Sequence, residues 1–180
     1  MSRIGRLPIV IPKGVSVQLN SMNEVIVKGP LGQLTTPVDK NITVAIDKEH
    51  IVLSRSSEEK RYKAMHGLYR ALIANTVEGV TKGYFKDLLI QGVGYKVVKQ
   101  GKKIVLNIGF SHPVEVEEPA GVTIDVTSPT EIKVKGIDKT AVGQCAADIK
   151  SIKKPDPYHL YGIRYKNEVI LKKEGKTGKK

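Results

Sequence analysis

Val122-Thr-Ile-Asp-Val126, Glu131-Ile-Lys-Val-Lys135 and then Val142, Cys145, Ala146, Ile149 and Ile152 form the stretch on which the fold turns. The first two segments alternate β-branched apolar residues with polar ones, the period-two pattern of strands with one buried face. The last five residues recur at three- and four-residue spacing, which predicts a helix with one apolar stripe, stopped by Pro155. Just upstream, Tyr95-Lys-Val-Val98 and Lys103-Ile-Val-Leu-Asn107 read as further strands.

The first half of the chain carries the same plan. Val15-Ser-Val-Gln-Leu19, Glu24-Val-Ile-Val-Lys28, Ile42-Thr-Val-Ala-Ile46 and Ile51-Val-Leu53 read as strands separated by turn residues. Tyr62, Met65, Tyr69, Leu72 and Ile73 then trace one face of a helix. Ser56, with Glu59 three residues on, predicts a capping box at its start, and Gly79 and Gly83 close the unit. Laying Val25–Gly29 on Ile104–Gly109, Ile42–Ile46 on Val122–Val126 and Gly67 on Gly143 keeps the offset within 76 to 81 residues. Such a period is too long for a solenoid and suits a duplicated domain. The expected fold class is therefore α+β: two duplicated domains, each a small, mainly antiparallel sheet with one packed helix, plus a basic C-terminal tail. The expected boundaries are 1–82, 83–155 and 156–180.

Charge points to a partner. Among 180 residues, 30 Lys and Arg face 18 Asp and Glu, a net charge of +12. Residues 1–82 hold 12 basic and 7 acidic side chains, residues 83–149 hold 8 of each, and residues 150–180 hold 10 and 3. More than half of the excess thus sits at the C-terminal end, where an anionic partner is expected to dock. The single cysteine, Cys145, excludes an internal disulfide and argues for a reducing compartment. Arg3 and Arg6 precede an apolar run broken by Pro8, Pro12 and Lys13, so no signal peptide is read. No window approaches the ~18 apolar residues of a membrane span. A soluble, cytoplasmic protein is expected.

Catalytic and cofactor motifs fail on inspection. Gly92-Val-Gly94 follows a strand, but the third glycine of a dinucleotide fingerprint falls at Val97, and strand residues follow where a helix should open. Gly175-Lys176-Thr177 resembles the end of a phosphate loop, yet Ile170 occupies the position of its first glycine. His50, His66, His112 and His159 are scattered without metal-ligand spacing. No enzyme activity, cofactor, metal or small-molecule substrate is expected.

The positive signal is Lys150, Lys153, Lys154, Tyr158, His159, Tyr161, Gly162, Arg164, Tyr165, Lys166, Lys172, Lys173, Lys176, Lys179 and Lys180. Cations interleaved with aromatics and glycines suit RNA: ammonium and guanidinium groups neutralise phosphates, and tyrosine rings stack on bases. The bland reading, a solvated charged surface, fits less well because solvating charge is usually mixed in sign. A membrane-surface helix is excluded by Pro155, Pro157, Gly162, Gly175 and Gly178. Within this stretch, Tyr161–Tyr165 and Glu168–Leu171 predict a hairpin or extended pair around Lys166-Asn167. Lys172–Lys180 has no apolar anchor and is expected to order only against an anion. Truncation at Pro157 is expected to leave both domains folded.

Pro155-Asp-Pro-Tyr158, Gly162-Ile-Arg-Tyr165 and the closing Lys172-Lys-Glu-Gly-Lys-Thr-Gly-Lys-Lys180 resemble the signature of the bacterial-type large-subunit ribosomal protein six family. Met1-Ser-Arg-Ile-Gly5, Val27-Lys-Gly-Pro30, Gly92-Val-Gly-Tyr95 and Phe110-Ser-His-Pro113 resemble it too, in the same order, so the likeness spans the chain. The resemblance implies a duplicated α+β fold assembled on large-subunit rRNA near the stalk base, close to where translational GTPases dock and beside neighbouring ribosomal proteins. It implies that the C-terminal domain and tail hold the RNA. By the same resemblance the loops bearing Tyr95 and Lys96, and Phe110, Ser111 and His112, face RNA or are simply tight turns. The helix bearing Arg61, Lys63 and Arg70 faces a neighbouring protein or water. After Pro-x-Pro-Tyr the family usually reads Lys-Gly-Lys-Gly, whereas this chain has His159-Leu160-Tyr161-Gly162, which puts the phosphate contacts there in doubt and suggests a stacking role for Tyr161. The competing readings are an off-ribosome RNA chaperone or translation regulator, and an RNA-modifying enzyme, against which the missing cofactor loop weighs.

Overall fold

The computed structural model describes residues 4–47 and 49–176. The chain divides into two compact units, one comprising residues up to Tyr84 with Ile137–Lys139, the other Phe85–Gly136 with Thr140 onward.

In the first unit, alternation of apolar and polar side chains yields six strands: β1 Ile9–Val10, β2 Ser16–Leu19, β3 Glu24–Gly29, β4 Gly32–Pro37, β5 Ile42–Ile46 and β6 His50–Arg55. They form two three-stranded antiparallel sheets, ordered β1-β6-β5 and β2-β3-β4. The period of two sends Val25, Val27, Ile42, Val44, Ile51 and Leu53 inward, where they meet Ile73, Val77 and Val80 of the helix α1 Lys60–Lys82. Of the apolar stripe expected on this helix, Ile73 is buried, while Met65 and Tyr69 cover the margin of the core.

The second unit repeats this wiring. β7 Tyr84–Gln91, which starts in the first unit, leads into β8 Lys96–Gln100, β9 Lys103–Asn107, β10 Val114–Glu117, β11 Val122–Ser128, β12 Glu131–Gly136 and the helix α2 Lys139–Ile152. The sheet β10-β9-β8 is the counterpart of β4-β3-β2, and β11-β12-β7 that of β5-β6-β1. Val142, Cys145, Ala146 and Ile149 are buried, so the stripe read from the sequence is the buried face of α2. The duplication therefore holds at the level of strand order.

Four expectations change. Each unit has two sheets rather than one, because the sequence pattern does not reveal β4, β7 and β10: Gly32-Gln-Leu-Thr-Thr-Pro37 and Val114-Glu-Val-Glu117 are short edge strands with only half-buried inner residues. The Ser56 capping box is not formed; α1 begins at Lys60 with Glu59 as N-cap and no side-chain cap, and Ser57 rather than Ser56 accepts a bond from the Glu59 N–H. Arg70 is engaged by the chain itself, since its Nε and Nη2 donate to the carbonyls of Leu7 and Pro8 at 3.1 and 3.4 Å. The fourth change concerns the segment after Pro155. No hairpin forms there; instead β13 Gly162–Tyr165 pairs antiparallel with β7, in register Gly162↔Gln91 to Tyr165↔Leu88, as the outer strand of a four-stranded sheet.

Ile163 on β13 is 0% exposed, as are Leu88, Ile124, Val134, Ala146 and Ile149 of the same unit. Truncation at Pro157 would therefore strip an apolar side chain from the core and unpair β7, so the expectation that both domains survive it is not upheld. Replacing Ile163 by Ala should lower the unfolding free energy by about 2–5 kcal/mol, read as a shifted urea midpoint with circular dichroism.

Candidate nucleic-acid interface

Between α2 and β13 the chain makes a loop set by its own backbone. The Asp156 N–H donates to the Tyr161 carbonyl (3.1 Å), the Leu160 N–H to the Asp156 carbonyl (2.8 Å), and Leu160 sits at φ 64. The Asp156 carboxylate accepts from the His159 N–H (2.9 Å) and lies 3.0 Å from His159 Nδ1. The backbone bond from His159 is the main reason that the Asp156 pKa is lowered. Held in this way, Tyr158 and Tyr161 stand 46% and 39% exposed. Leu160 is half-buried.

Three segments distant in sequence converge here. The His159 and Tyr161 rings stack at 5.7 Å, and Tyr161 tilts against Tyr95 at 6.4 Å. Tyr95 in turn lies close against two glycines. A Cβ on Gly92 would fall 2.4 Å from its ring, and one on Gly109, which also has φ +76, would fall 3.0 Å from it. Both loops, Gly92–Lys96 and Gly109–Pro113, are thereby fixed around one half-buried tyrosine. Beside them the Lys153 ammonium lies 4.8 Å from the Phe110 ring centroid. Lys96, Ser111 and His112 are exposed on the same loops, and Ser111 Oγ is 3.4 Å from His112 Nδ1.

Electrostatics separate this surface from the rest of the unit. Lys99 pairs with Glu118 and Asp125, Lys103 with Glu115 and Glu117, Lys133 with Asp87, and Lys135 with Asp125. Lys135 and the Ile124 N–H, respectively, are the main causes lowering the pKa of Asp125 and Glu118. By contrast, no ion pair among the described residues involves Lys96, Lys153, Lys154, Lys166, Lys172, Lys173 or Lys176. Four of the eight lysines of residues 83–149 are thus paired internally, whereas most of the cations after Lys150 form no ion pair among the described residues.

The residues singled out in the sequence do not all gather at one place. Tyr95, Tyr158, His159, Tyr161 and Gly162 lie at the start of β13, whereas Tyr165 and Lys166 lie at its far end, where the Lys166 N–H bonds the Asp87 carbonyl at 3.0 Å. Arg164 is already engaged, Nη1 donating to the Glu168 carbonyl at 3.0 Å. Glu168 is the hub of that turn: its carboxylate accepts from Lys150 Nζ (2.6 Å) and from the Tyr165 N–H (3.1 Å), and the Lys150 ammonium also lies over the Tyr165 ring at 4.8 Å. Beyond it, the Lys173 N–H donates to the Pro157 carbonyl at 2.9 Å, which brings the backbone at Lys173 back to the aromatic loop. Part of the tail is therefore ordered by the chain's own contacts. Lys179 and Lys180 lie outside the described residues. Sequence reading missed Phe85, Lys86 and Lys133, which the β7 and β12 pairing brings beside Lys166; the apolar run of β7 was the available signal.

No helix among the described residues is long and apolar enough to cross a membrane, and no group of three His, Cys, Asp or Glu is placed to hold a metal ion. Burial pushes the Cys145 thiol up.

Duplicated α+β units, one of them presenting unpaired lysines among exposed aromatic rings, define a scaffold whose second unit carries a basic, aromatic surface. The family model described as Ribosomal protein L6 matches the chain twice, over residues 11–83 and 91–166, once for each copy. The protein is 55% identical over 179 residues to the large ribosomal subunit protein uL6 of Caldicellulosiruptor bescii, covering 99% of this chain and 98% of that one. It is 53% identical to the uL6 proteins of Alkaliphilus metalliredigens, over 99% and 100% of the two chains, and of Clostridium kluyveri, over 100% of both. The chain belongs to the ribosomal protein L6 family, whose members are ribosomal structural proteins and not enzymes.

Because Lys150 is the main cause that lowers the Glu168 pKa, the lock it forms is intact above the ordinary glutamate range, about 4.3, and is lost as pH falls through the lowered value. Glu168→Gln should reproduce that loss at neutral pH, seen as faster amide exchange across residues 165–173 with β7 protection retained.

Proposed function

We propose that this protein is a structural constituent of the large ribosomal subunit that binds large-subunit rRNA through its second half. In this reading residues 1–82 and 83–155 act as a mount and residues 156–180 as the principal RNA-binding element, seated near the stalk base and the region where translational GTPases dock, with neighbouring ribosomal proteins alongside. Membership of the L6 family supports the assembly, and the resemblance of the loops and tail supports the location.

The observation that carries the RNA assignment is the segregation of charge. Lys99, Lys103, Lys133 and Lys135 of the β8–β12 region are matched by carboxylates, while Lys153, Lys154, Lys166, Lys172, Lys173 and Lys176 are not paired among the described residues and lie in the segment that also carries Tyr158, His159 and Tyr161. Unpaired ammonium groups gain most from a phosphate backbone, because their docking releases condensed counterions at no cost in broken ion pairs. The stacked His159–Tyr161 pair offers an aromatic face where the family usually has lysine and glycine. Tyr95 supports that face, while Lys96, Ser111 and His112 extend it with polar donors. Gly162 lets the chain pass against Pro155.

Changing Lys172, Lys173 and Lys176 to Gln should reduce the slope of log K against log salt by about one unit for each phosphate left unneutralised, for binding to purified large-subunit rRNA. An unchanged slope would sink the electrostatic assignment. Tyr161→Ala should weaken binding on the order of tenfold with the slope preserved; undiminished affinity would show that the ring does not stack. Co-sedimentation with the large subunit through a high-salt gradient tests assembly itself, and free protein at the top of the gradient would contradict it.

A further inference from the structure

The far end of β13 carries a second basic and aromatic surface that the loop cluster does not include. A strand of four residues at about 3.3 Å per residue puts this end roughly 10 Å from Gly162. Here a groove of about 300 Å³ is lined by Phe85, Lys86, Asp87, Tyr165, Lys166 and Asn167. A smaller one, about 110 Å³, continues from Asp87 and Lys166 to Lys133.

We propose that this groove is a second RNA-contact site, taking the sugar-phosphate backbone of one strand along Lys86, Lys166 and Lys133, with the Phe85 ring against a ribose or base. The inference rests on the rRNA-binding reading above and adds a separate contact to it. Lys86 and Lys166 are exposed and form no ion pair among the described residues; Lys133 has only a long pair with Asp87, 3.9 Å. Three cations, Lys86, Lys133 and Lys166, against two carboxylates, Asp87 and Glu131, leave the lining with a net positive charge, which favours an anionic occupant. Phe85 is 59% exposed in a β-strand, where its outward face gains nothing from the core. The Lys133 ammonium, 4.4 Å from its centroid, covers one face of the ring and leaves a charged group next to an apolar platform. Lys86 repeats the arrangement over Tyr165 at 5.9 Å. Cation-flanked aromatic rings on a strand are the elements with which proteins hold single-stranded or looped RNA. The floor is firm as well: Lys166 is tied through its N–H to the Asp87 carbonyl, and Tyr165 through its own to Glu168.

The test uses the full chain and purified large-subunit rRNA. Four proteins are titrated across about 50 to 200 mM salt: wild type, Lys86→Gln/Lys133→Gln/Lys166→Gln, the tail variant Lys172→Gln/Lys173→Gln/Lys176→Gln, and Phe85→Leu. The groove variant should lower the salt slope by about two to three units independently of the tail variant, and Phe85→Leu should weaken binding about tenfold with the slope unchanged. Urea midpoints and circular dichroism confirm folding, and Lys86→Gln/Lys166→Gln, which leaves the Lys133–Asp87 pair intact, serves if the triple variant is destabilised. A groove variant with wild-type affinity and slope, while the tail variant is reduced in both, would overturn this inference and leave the proposed function standing. If neither variant changed the slope, both would fail. A groove variant that binds rRNA normally but no longer enters the large subunit would also overturn it, assigning the groove to an acidic protein surface.

Discussion

The pairing of β13 with β7 is the constraint on which the second unit and its surface depend. Four residues in register bring Ile163 into a site with no solvent exposure, and burying a side chain of that size typically stabilises a fold by about 1.5–3 kcal/mol. Because the strand is held by its core side chain and along its paired edge, the loop before it and the turn after it cannot drift. The loop Asp156–Tyr161 is closed by its own backbone bonds on one side, and the turn Tyr165–Glu168 is locked by Lys150 and Arg164 on the other. A basic segment that composition alone describes as flexible becomes a strand paired along β7, with basic and aromatic residues at both of its ends.

Charge is organised by the same architecture. In the β8–β12 region lysines and carboxylates face each other across neighbouring strands, so their fields largely cancel. Exposed pairs of this kind add little to stability. Their consequence is spatial: they leave the last segment, with ten basic and three acidic side chains, as the most strongly positive part of the second unit, close to exposed aromatic rings.

Tyr95 shows how one side chain can fix the spacing of several loops. Its ring rests against Gly92 and Gly109, and it also meets Tyr161. It thus sets the distance between two loops and the aromatic loop before β13, and whatever those loops touch is presented at a fixed spacing. The His159-Leu160-Tyr161 sequence is compatible with this because Leu160 takes φ 64 and Asp156 holds the His159 N–H.

Strong periodic segments were legible from residues alone. The stripe of α2, the central strands and the duplicated order were readable because alternation and the 3.6-residue period are local properties of sequence. The basic, aromatic character of residues 150–180 was equally plain, being compositional. What needed the tertiary structure was every feature set by long-range pairing: the edge strands β4 and β10, whose weak patterns are completed by neighbours, and β7, whose place is set by pairing with β12 and β13. The same holds for β13, whose residues Gly162–Tyr165 read as tail until Ile163 finds the core. Sequence also joined Tyr161 and Lys166 into one site, since five positions separate them; only the extended backbone, with its rise of about 3.3 Å per residue, places them at opposite ends of a strand.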